Sequence, residues 1–179
     1  GVNALGTADG SEGRNVAIGY EALAALDTDG NAYTTAVGYA AGAAISSGLE
    51  NTIFGALAGD AILGGSSNTL IGVHAGGELT SGSVNVAIGH SALKNETGYG
   101  HCVAIGYGAL TTQDAGATAY NVAVGYNAGT VVSTGVKNVI MGGLAGDALT
   151  TGSFNVAIGH EALTTEDTGT RNVAIGQSA

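Results

Sequence analysis

A five-residue phrase, most often Asn-Val-Ala-Ile-Gly, recurs ten times along the 179 residues of this chain. Each copy closes on a glycine, and successive closing glycines lie 17 residues apart, apart from two intervals of 19. A fixed period this short is typical of stacked coils, in which each repeat packs mainly on its neighbours. The repeat therefore predicts a solenoid of about ten coils. The closing glycines are Gly19, Gly38, Gly55, Gly72, Gly89, Gly106, Gly125, Gly142, Gly159 and Gly176.

Aligned on the closing glycine, the phrase has the composition of a β-strand. The third residue before the glycine is always Val or Thr, and the residue directly before it is Ile, Val, Phe or Met. These residues favour strands, whereas glycine and β-branched residues are weak helix formers. The glycine fits a corner that requires positive φ or close backbone approach. Because a second turn signal follows in most repeats, we expect about two short strands per coil in an all-β, parallel β-solenoid (β-roll).

Asparagine stands four residues before the closing glycine in eight copies, with Thr34 and Cys102 as the exceptions. Strands in register place equivalent residues about 4.8 Å apart, so ten coils make a rod of about 48 Å. At this spacing the amide side chains can hydrogen-bond from coil to coil. We therefore predict a structural ladder that consists of Asn15, Asn51, Asn68, Asn85, Asn121, Asn138, Asn155 and Asn172.

The middle residue of the predicted strand is apolar in every copy. Successive side chains of a strand point to opposite faces, so Val16 and Ile18 share one face and Ala17 lies on the other. Because a solvent-facing column would be polar, both faces are expected to be buried. We assign Val and Ile to the coil interior and the Ala17 column to a partner chain, so Ala174→Asp should abolish assembly. The alternative is a column that is merely small and exposed.

The intervals between glycines also repeat on a longer scale. The pattern 19, 17, 17, 17, 17 starts again after 87 residues, so that Gly19 corresponds to Gly106. The two-residue insertions fall at equivalent corners of the two halves, and no linker separates them. We interpret 1–179 as one repeat domain that contains two similar five-coil blocks, about 15–101 and 102–179.

Composition and charge exclude several classes of partner. The chain carries 14 acidic and 4 basic residues, for a net charge of −10, which would repel nucleic-acid phosphates and anionic membrane surfaces. No apolar run approaches the roughly 18 residues of a membrane helix. The single cysteine cannot form an intrachain disulfide. Since the chain starts without Met and stops within a repeat, we expect it to be a segment of a longer protein.

The phrase resembles the head repeat of YadA-type trimeric autotransporter adhesins, and it is similar to phage tail fibre repeats often written Asn-Thr-Ala-Ile-Gly. The resemblance implies a β-roll in which three chains pack around one axis. It also implies an extracellular structural and adhesive role on a cell surface or virion, with a host receptor or glycan as partner. The coil here is longer than the usual head coil. Matching stretches are 15–19, 85–89, 155–159 and 172–176, with looser copies at 51–55, 68–72, 121–125 and 138–142.

The position after the closing glycine is the strongest candidate for recognition, because it carries aromatic side chains in several coils. Tyrosines on adjacent coils would stack at strand spacing, and exposed aromatics are common contacts for sugars and proteins. The alternative is cross-coil packing at a corner. The candidate binding residues are Tyr20, Tyr39, Tyr107, Tyr126, His90 and His160.

Catalytic and metal sites receive little support from the sequence. No Ser/His/Asp or Cys/His/Asp arrangement recurs, so we expect neither an enzyme nor a cofactor. Cys102 occupies the asparagine column and is interpreted as a structural substitute. A weak calcium candidate consists of Asp27, Asp29 and Asn31, although the later acid of an EF-hand is missing and an ordinary polar turn is the alternative.

Two other functions fit a solenoid. A monomeric ice-binding β-solenoid requires a flat lattice of threonines, but only Thr35, Thr52 and Thr69 follow one another in their column. A polysaccharide-active β-helix enzyme requires paired carboxylates on one face, and the acidic residues here are scattered over turns. A fibre segment is therefore the preferred interpretation.

Overall fold

The chain folds into a parallel β-solenoid with one short strand in each coil. The computed structural model describes residues 1–6, 13–28 and 31–179, and these contain no helix. All ten strands lie in a single sheet in chain order, which confirms the all-β parallel solenoid. They are β1 (Val16–Ile18), β2 (Thr35–Val37), β3 (Thr52–Phe54), β4 (Thr69–Ile71), β5 (Val86–Ile88), β6 (Val103–Ile105), β7 (Val122–Val124), β8 (Val139–Met141), β9 (Val156–Ile158) and β10 (Val173–Ile175).

Every strand pairs with the next through equivalent residues of the phrase. Val16 lies beside Thr35 and Ile18 beside Val37, and the same register holds to β10. Ala87 of β5 pairs with Ala104 of β6, so the sheet runs without a break across the boundary between the two blocks. Nine steps at strand spacing give a sheet about 43 Å long.

The prediction of two strands per coil is wrong, because the remainder of each coil is built from turns. Positions five before, two after and four after the closing glycine adopt φ values between 49° and 67°. Many of these residues carry side chains, such as Tyr33, Leu57 and Leu110. A left-handed residue redirects the chain and interrupts β geometry. In the remaining part of the coil, consecutive N–H groups such as those of Thr80 and Ser81 share one carbonyl acceptor in the next coil, so no regular second ladder forms.

The assignment of the strand faces is also wrong, and the true arrangement is the reverse. The middle residues of β2 to β9, which include Ile53 and Leu70, have no solvent-exposed surface. Their neighbours point outward, since Phe54 is 57% exposed and Ile71 is 37% exposed. Val and Ile therefore form the outer face, while the alanine column lines the coil. Ala174 is only 9% exposed, so Ala174→Asp would disturb the coil interior rather than a chain contact.

Complementary side-chain sizes across the coil explain this orientation. Where the middle residue is alanine, the residue six positions later is leucine in four coils, as at Ala87 with Leu93, and glycine in two, where large side chains of neighbouring coils reach the space beside Gly42 and Gly129. Where it is large, as at Leu70, that position is glycine. A Cβ on Gly76 would lie 2.9 Å from Leu70 Cδ2. Interiors pack at near-crystalline density, so the two inward positions share one volume, and the narrow coil places the remaining bulky side chains outside.

Candidate functional site

The asparagine column is buried and ties neighbouring coils together. Asn51 Oδ1 accepts the backbone N–H of Asn68 at 3.0 Å, and Asn51 Nδ2 donates to the carbonyl of Gly65 at 2.9 Å. Asn68 repeats the pattern with the N–H of Asn85 and the carbonyl of Gly82. Each amide thus links the strand start and the corner of the next coil. Similar bonds involve Asn15, Asn121, Asn138, Asn155 and Asn172.

The two exceptions in this column preserve the coil-to-coil hydrogen bonding by other means. Thr34 Oγ1 accepts the backbone N–H of Asn51 at 3.3 Å. Cys102 receives a hydrogen bond from the backbone N–H of Asn121, although burial dominates and raises the pKa of its thiol to about 11. Cys102 is fully buried, so a thiolate nucleophile is absent at neutral pH. Both side chains act as substitute acceptors.

A buried polar pair beside Cys102 was missed by sequence reasoning. Seven residues after the closing glycine the chain normally carries an inward aliphatic side chain, but Glu96 and Gln113 take this place in consecutive coils and are fully buried. Gln113 Oε1 accepts from Asn121 Nδ2 at 2.5 Å, and Gln113 Nε2 donates to the carbonyl of Ser133. The signal in the sequence was the replacement of aliphatic residues in this column by Glu96, Gln113 and the more exposed Glu166.

Glu96 is less well satisfied than Gln113. Its Oε1 accepts the backbone N–H of Tyr99 at 3.0 Å, whereas Oε2 is buried without a hydrogen-bond partner. Burial raises the pKa of the Glu96 carboxyl; the charge of Asp114 adds to this effect, and the N–H groups of Tyr99 and Gly98 partly offset it. The ionised side chain therefore costs stability.

We predict that Glu96→Gln stabilises the solenoid at pH 7 by about 1 to 2 kcal/mol, because it removes a buried charge with an unpaired oxygen. Since the folded pKa of Glu96 is raised, its contribution is most favourable at low pH and is lost as the pH rises through the raised value. The difference between variant and wild type should therefore shrink towards pH of about 4. Chemical denaturation at both pH values measures it. Glu166→Gln is the matched control. Glu166 occupies the position of Glu96 in a later coil and accepts the backbone N–H of Gly169, but it is only partly buried.

The residues that follow the closing glycines form an exposed aromatic column on one edge of the sheet. Tyr20 and Tyr39 stack with ring centroids 5.6 Å apart and planes 8° from parallel. His90 stacks on Tyr107 at 5.2 Å, and Tyr107 stacks on Tyr126 at 5.5 Å. The ring faces within each stack cover one another, so solvent meets mainly ring edges and hydroxyl groups.

Both stacks stop at a small residue. The coil after Tyr39 carries Ala56 in this column, and the coil after Tyr126 carries Gly143. Tyr39 and Tyr126 are 55% and 57% exposed, more than the tyrosines on which they stack, Tyr20 at 44% and Tyr107 at 52%. An uncovered ring face accounts for this exposure. His160 resumes the aromatic column one coil beyond Gly143, without a stacking partner among the described residues.

The histidines and acids are dispersed. His74 and His90 meet edge-on at 6.4 Å, and His160 Nδ1 lies 3.7 Å from Glu161 Oε2. Outside residues 7–12 and 29–30, no three His, Cys, Asp or Glu side chains come together as a potential metal site. Of the calcium candidate, Asp27 and Asn31 are exposed, and Asp29 lies outside the described residues.

The outer face of the sheet consists of the first and third residues of the ten strands. Its twenty positions carry Val, Ile, Thr, Phe or Met, and none is charged. Basic side chains stack on rings along the edge five residues before the closing glycine. Arg14 lies over the ring of Tyr33, and both Lys137 and Arg171 lie over Phe154, at 5.2 to 5.6 Å. The uncharged face is thus bordered by two edges that carry aromatic side chains in several coils.

In comparisons with known proteins, no family model, curated protein or solved structure matched the chain. Among the described residues, none forms a helix long and apolar enough to cross a membrane. Two surfaces carry chemistry that a partner can recognise, the outer face of the sheet and the aromatic column beside it.

Proposed function

We propose that the chain is a rigid fibre segment that self-associates through the outer face of its sheet and presents the aromatic column to a receptor. The observation that carries the proposal is the uncharged, apolar outer face, which runs over all ten strands. Ile18, Phe54 and Ile175 are each more than half exposed in the single chain. A contiguous apolar surface of this length marks an interaction site.

The charge distribution supports association between copies of the chain. The described acidic residues lie on turns and edges, away from the outward strand positions. Two such faces can therefore meet without burying a charge, although each chain has a net charge of −10. Packing of apolar sheet faces at about 10 Å would bury the Val and Ile columns. The resemblance to trimeric adhesin heads and tail fibres gives three as the proposed number of chains and an extracellular location.

The same surface bears on the ice-binding alternative. Thr35, Thr52 and Thr69 pair in register on the outer face. The column continues with valine from Val86 to Val173, so threonine covers only three of ten rungs. A lattice for ordered water would need hydroxyl groups along the whole face, and the apolar majority favours contact with another chain.

We predict that Ile71→Asp converts the assembly into monomers, because it places a charge on each copy within a face that association would dehydrate. Multi-angle light scattering measures the mass. Leu63→Asp is the matched control, since Leu63 is also an exposed aliphatic residue, at 54%, but lies outside the outer face. An unchanged mass for Ile71→Asp, or equal loss in both variants, would rule out association through this face.

A further inference from the structure

The aromatic column has a missing rung between Tyr126 and His160. Rings follow one another at His90, Tyr107 and Tyr126, with centroid spacings of 5.2 and 5.5 Å. The next rung is Gly143, which has no side chain. Its coil is nonetheless in register, because Met141 of β8 pairs with Ile158 of β9. The pairing of β8 with β9 therefore keeps the coil of Gly143 at its normal spacing, so the missing side chain leaves a gap.

The backbone spacing across this gap leaves room for one ring. Two strand steps separate the backbone of Tyr126 from that of His160, about 9.6 Å. A ring in van der Waals contact with both neighbours requires about 7 to 8 Å between them, twice the optimal carbon–carbon separation of about 3.5 to 4.0 Å. The exposed face of Tyr126 forms one wall, and the side chain of His160, which is 56% exposed, forms the other.

A carboxylate adjoins the His160 wall of the gap, next to the following coil. Glu161 Oε2 lies 3.7 Å from His160 Nδ1 and accepts the hydroxyl of Ser178 at 3.3 Å. The Glu161 side chain is 43% exposed and keeps further acceptor capacity. A guest ring with hydroxyl groups around its edge can donate to this carboxylate, while its apolar face rests on Tyr126. An acidic guest would be repelled by Glu161.

We propose that the gap over Gly143 binds the ring of one neutral pyranose sugar between Tyr126 and His160. This deepens the proposed function and rests on it, since it names the class of receptor that the aromatic column contacts. The sugar C–H groups stack on the electron-rich face of Tyr126, and its hydroxyl groups bond to Glu161 and His160. Aromatic walls with a few polar groups are typical of small-molecule sites.

The first block provides an internal comparison. The equivalent positions of Tyr126, Gly143 and His160, 87 residues earlier, are Tyr39, Ala56 and Val73. There the rung carries a methyl group and the second wall is aliphatic. The first block therefore folds without an aromatic residue at the position of His160. Folding of the solenoid does not require the set of Tyr126, Gly143 and His160 in the second block.

Gly143→Tyr tests the proposal by filling the rung with the chain's own ring. A Cβ at this position would make only an ordinary contact, 3.6 Å from His160 Cδ2, and Gly143 has no positive φ. The probes are methyl β-glucopyranoside, methyl β-galactopyranoside, methyl α-mannopyranoside and N-acetylglucosamine, observed by saturation-transfer NMR. We expect transfer to the C–H groups of at least one sugar in the wild type. It should weaken at least tenfold in Gly143→Tyr and in Tyr126→Ala, and persist in the first-block control Ala56→Tyr.

Three outcomes overturn the sugar site. These are no transfer to any of the four sugars in the wild type, transfer that persists in Gly143→Tyr, and a changed assembly mass in Gly143→Tyr, which would assign the gap to a side chain of a second copy. Circular dichroism of each variant establishes that the coils remain folded. The proposed assembly is tested separately by the mass of Ile71→Asp. If this variant is monomeric and still binds sugar, the sugar site does not depend on assembly.

Discussion

Leu70→Asp should unfold the coils around it, whereas Ile71→Asp, one residue further on, should leave the solenoid folded. Leu70 is fully buried and its side chain fills the interior beside Gly59 and Gly76. The substitution removes an apolar side chain and places a carboxylate among aliphatic neighbours, at a cost of about 4 kcal/mol or more. Circular dichroism and thermal unfolding measure the loss.

Ile71 is the matched control, because it lies on the same strand and points outward. Its replacement should cost about 1 kcal/mol through β propensity, together with any stability contributed by assembly. The opposite result, in which Ile71→Asp unfolds the chain and Leu70→Asp is tolerated, would restore the orientation expected from the sequence. Equal losses would contradict both orientations.

Gly89→Ala should destabilise the solenoid by about 3 to 5 kcal/mol, since strain and overpacking act together. The closing glycines all have φ between 132° and 144°, a region that residues with side chains rarely adopt. A Cβ on Gly89 would also lie 2.4 Å from the carbonyl oxygen of Gly106 in the next coil. The backbone of the adjoining coil cannot yield without breaking the ladder.

Gly143→Ala provides the control for the closing glycine, because it has no positive φ and its added methyl group would make only an ordinary contact. It should change the denaturation midpoint by less than the equivalent of about 1 kcal/mol. Comparable midpoints for Gly89→Ala and Gly143→Ala would show that the corner does not need glycine.

The spacing of the phrase was sufficient to predict the ten strands, their parallel stacking and the glycine corners. These features follow from local rules that repeat identically in every coil, so each copy reinforces the same inference. The second strand was predicted from turn signals alone. This prediction is wrong because residues such as Tyr33 and Leu110 adopt left-handed conformations despite their side chains. Packing within the coil compensates the conformational energy that these residues cost.

The orientation of the strand could not be read from alternation, because both faces are apolar. A partial signal was the size relation between the middle residue and the residue six positions later, as in Leu70 with Gly76 and Ala87 with Leu93, although Gly42 and Gly129 follow alanines. The two residues of each pair lie on opposite sides of the coil. Their sizes can be related only once the structure shows that both side chains point into the same interior space. The aromatic column was identified from sequence, but the face-to-face stacking and the gap at Gly143 depend on the register of the coils.

We propose that the apolar outer face is covered by other copies of the chain. The most direct measurement is the mass of the unmodified protein in solution by size-exclusion chromatography with multi-angle light scattering. The proposal predicts about 52 kDa, three times the 17.2 kDa of one chain, over the whole micromolar range. A single species at 17.2 kDa would contradict it and leave the outer face open to another partner.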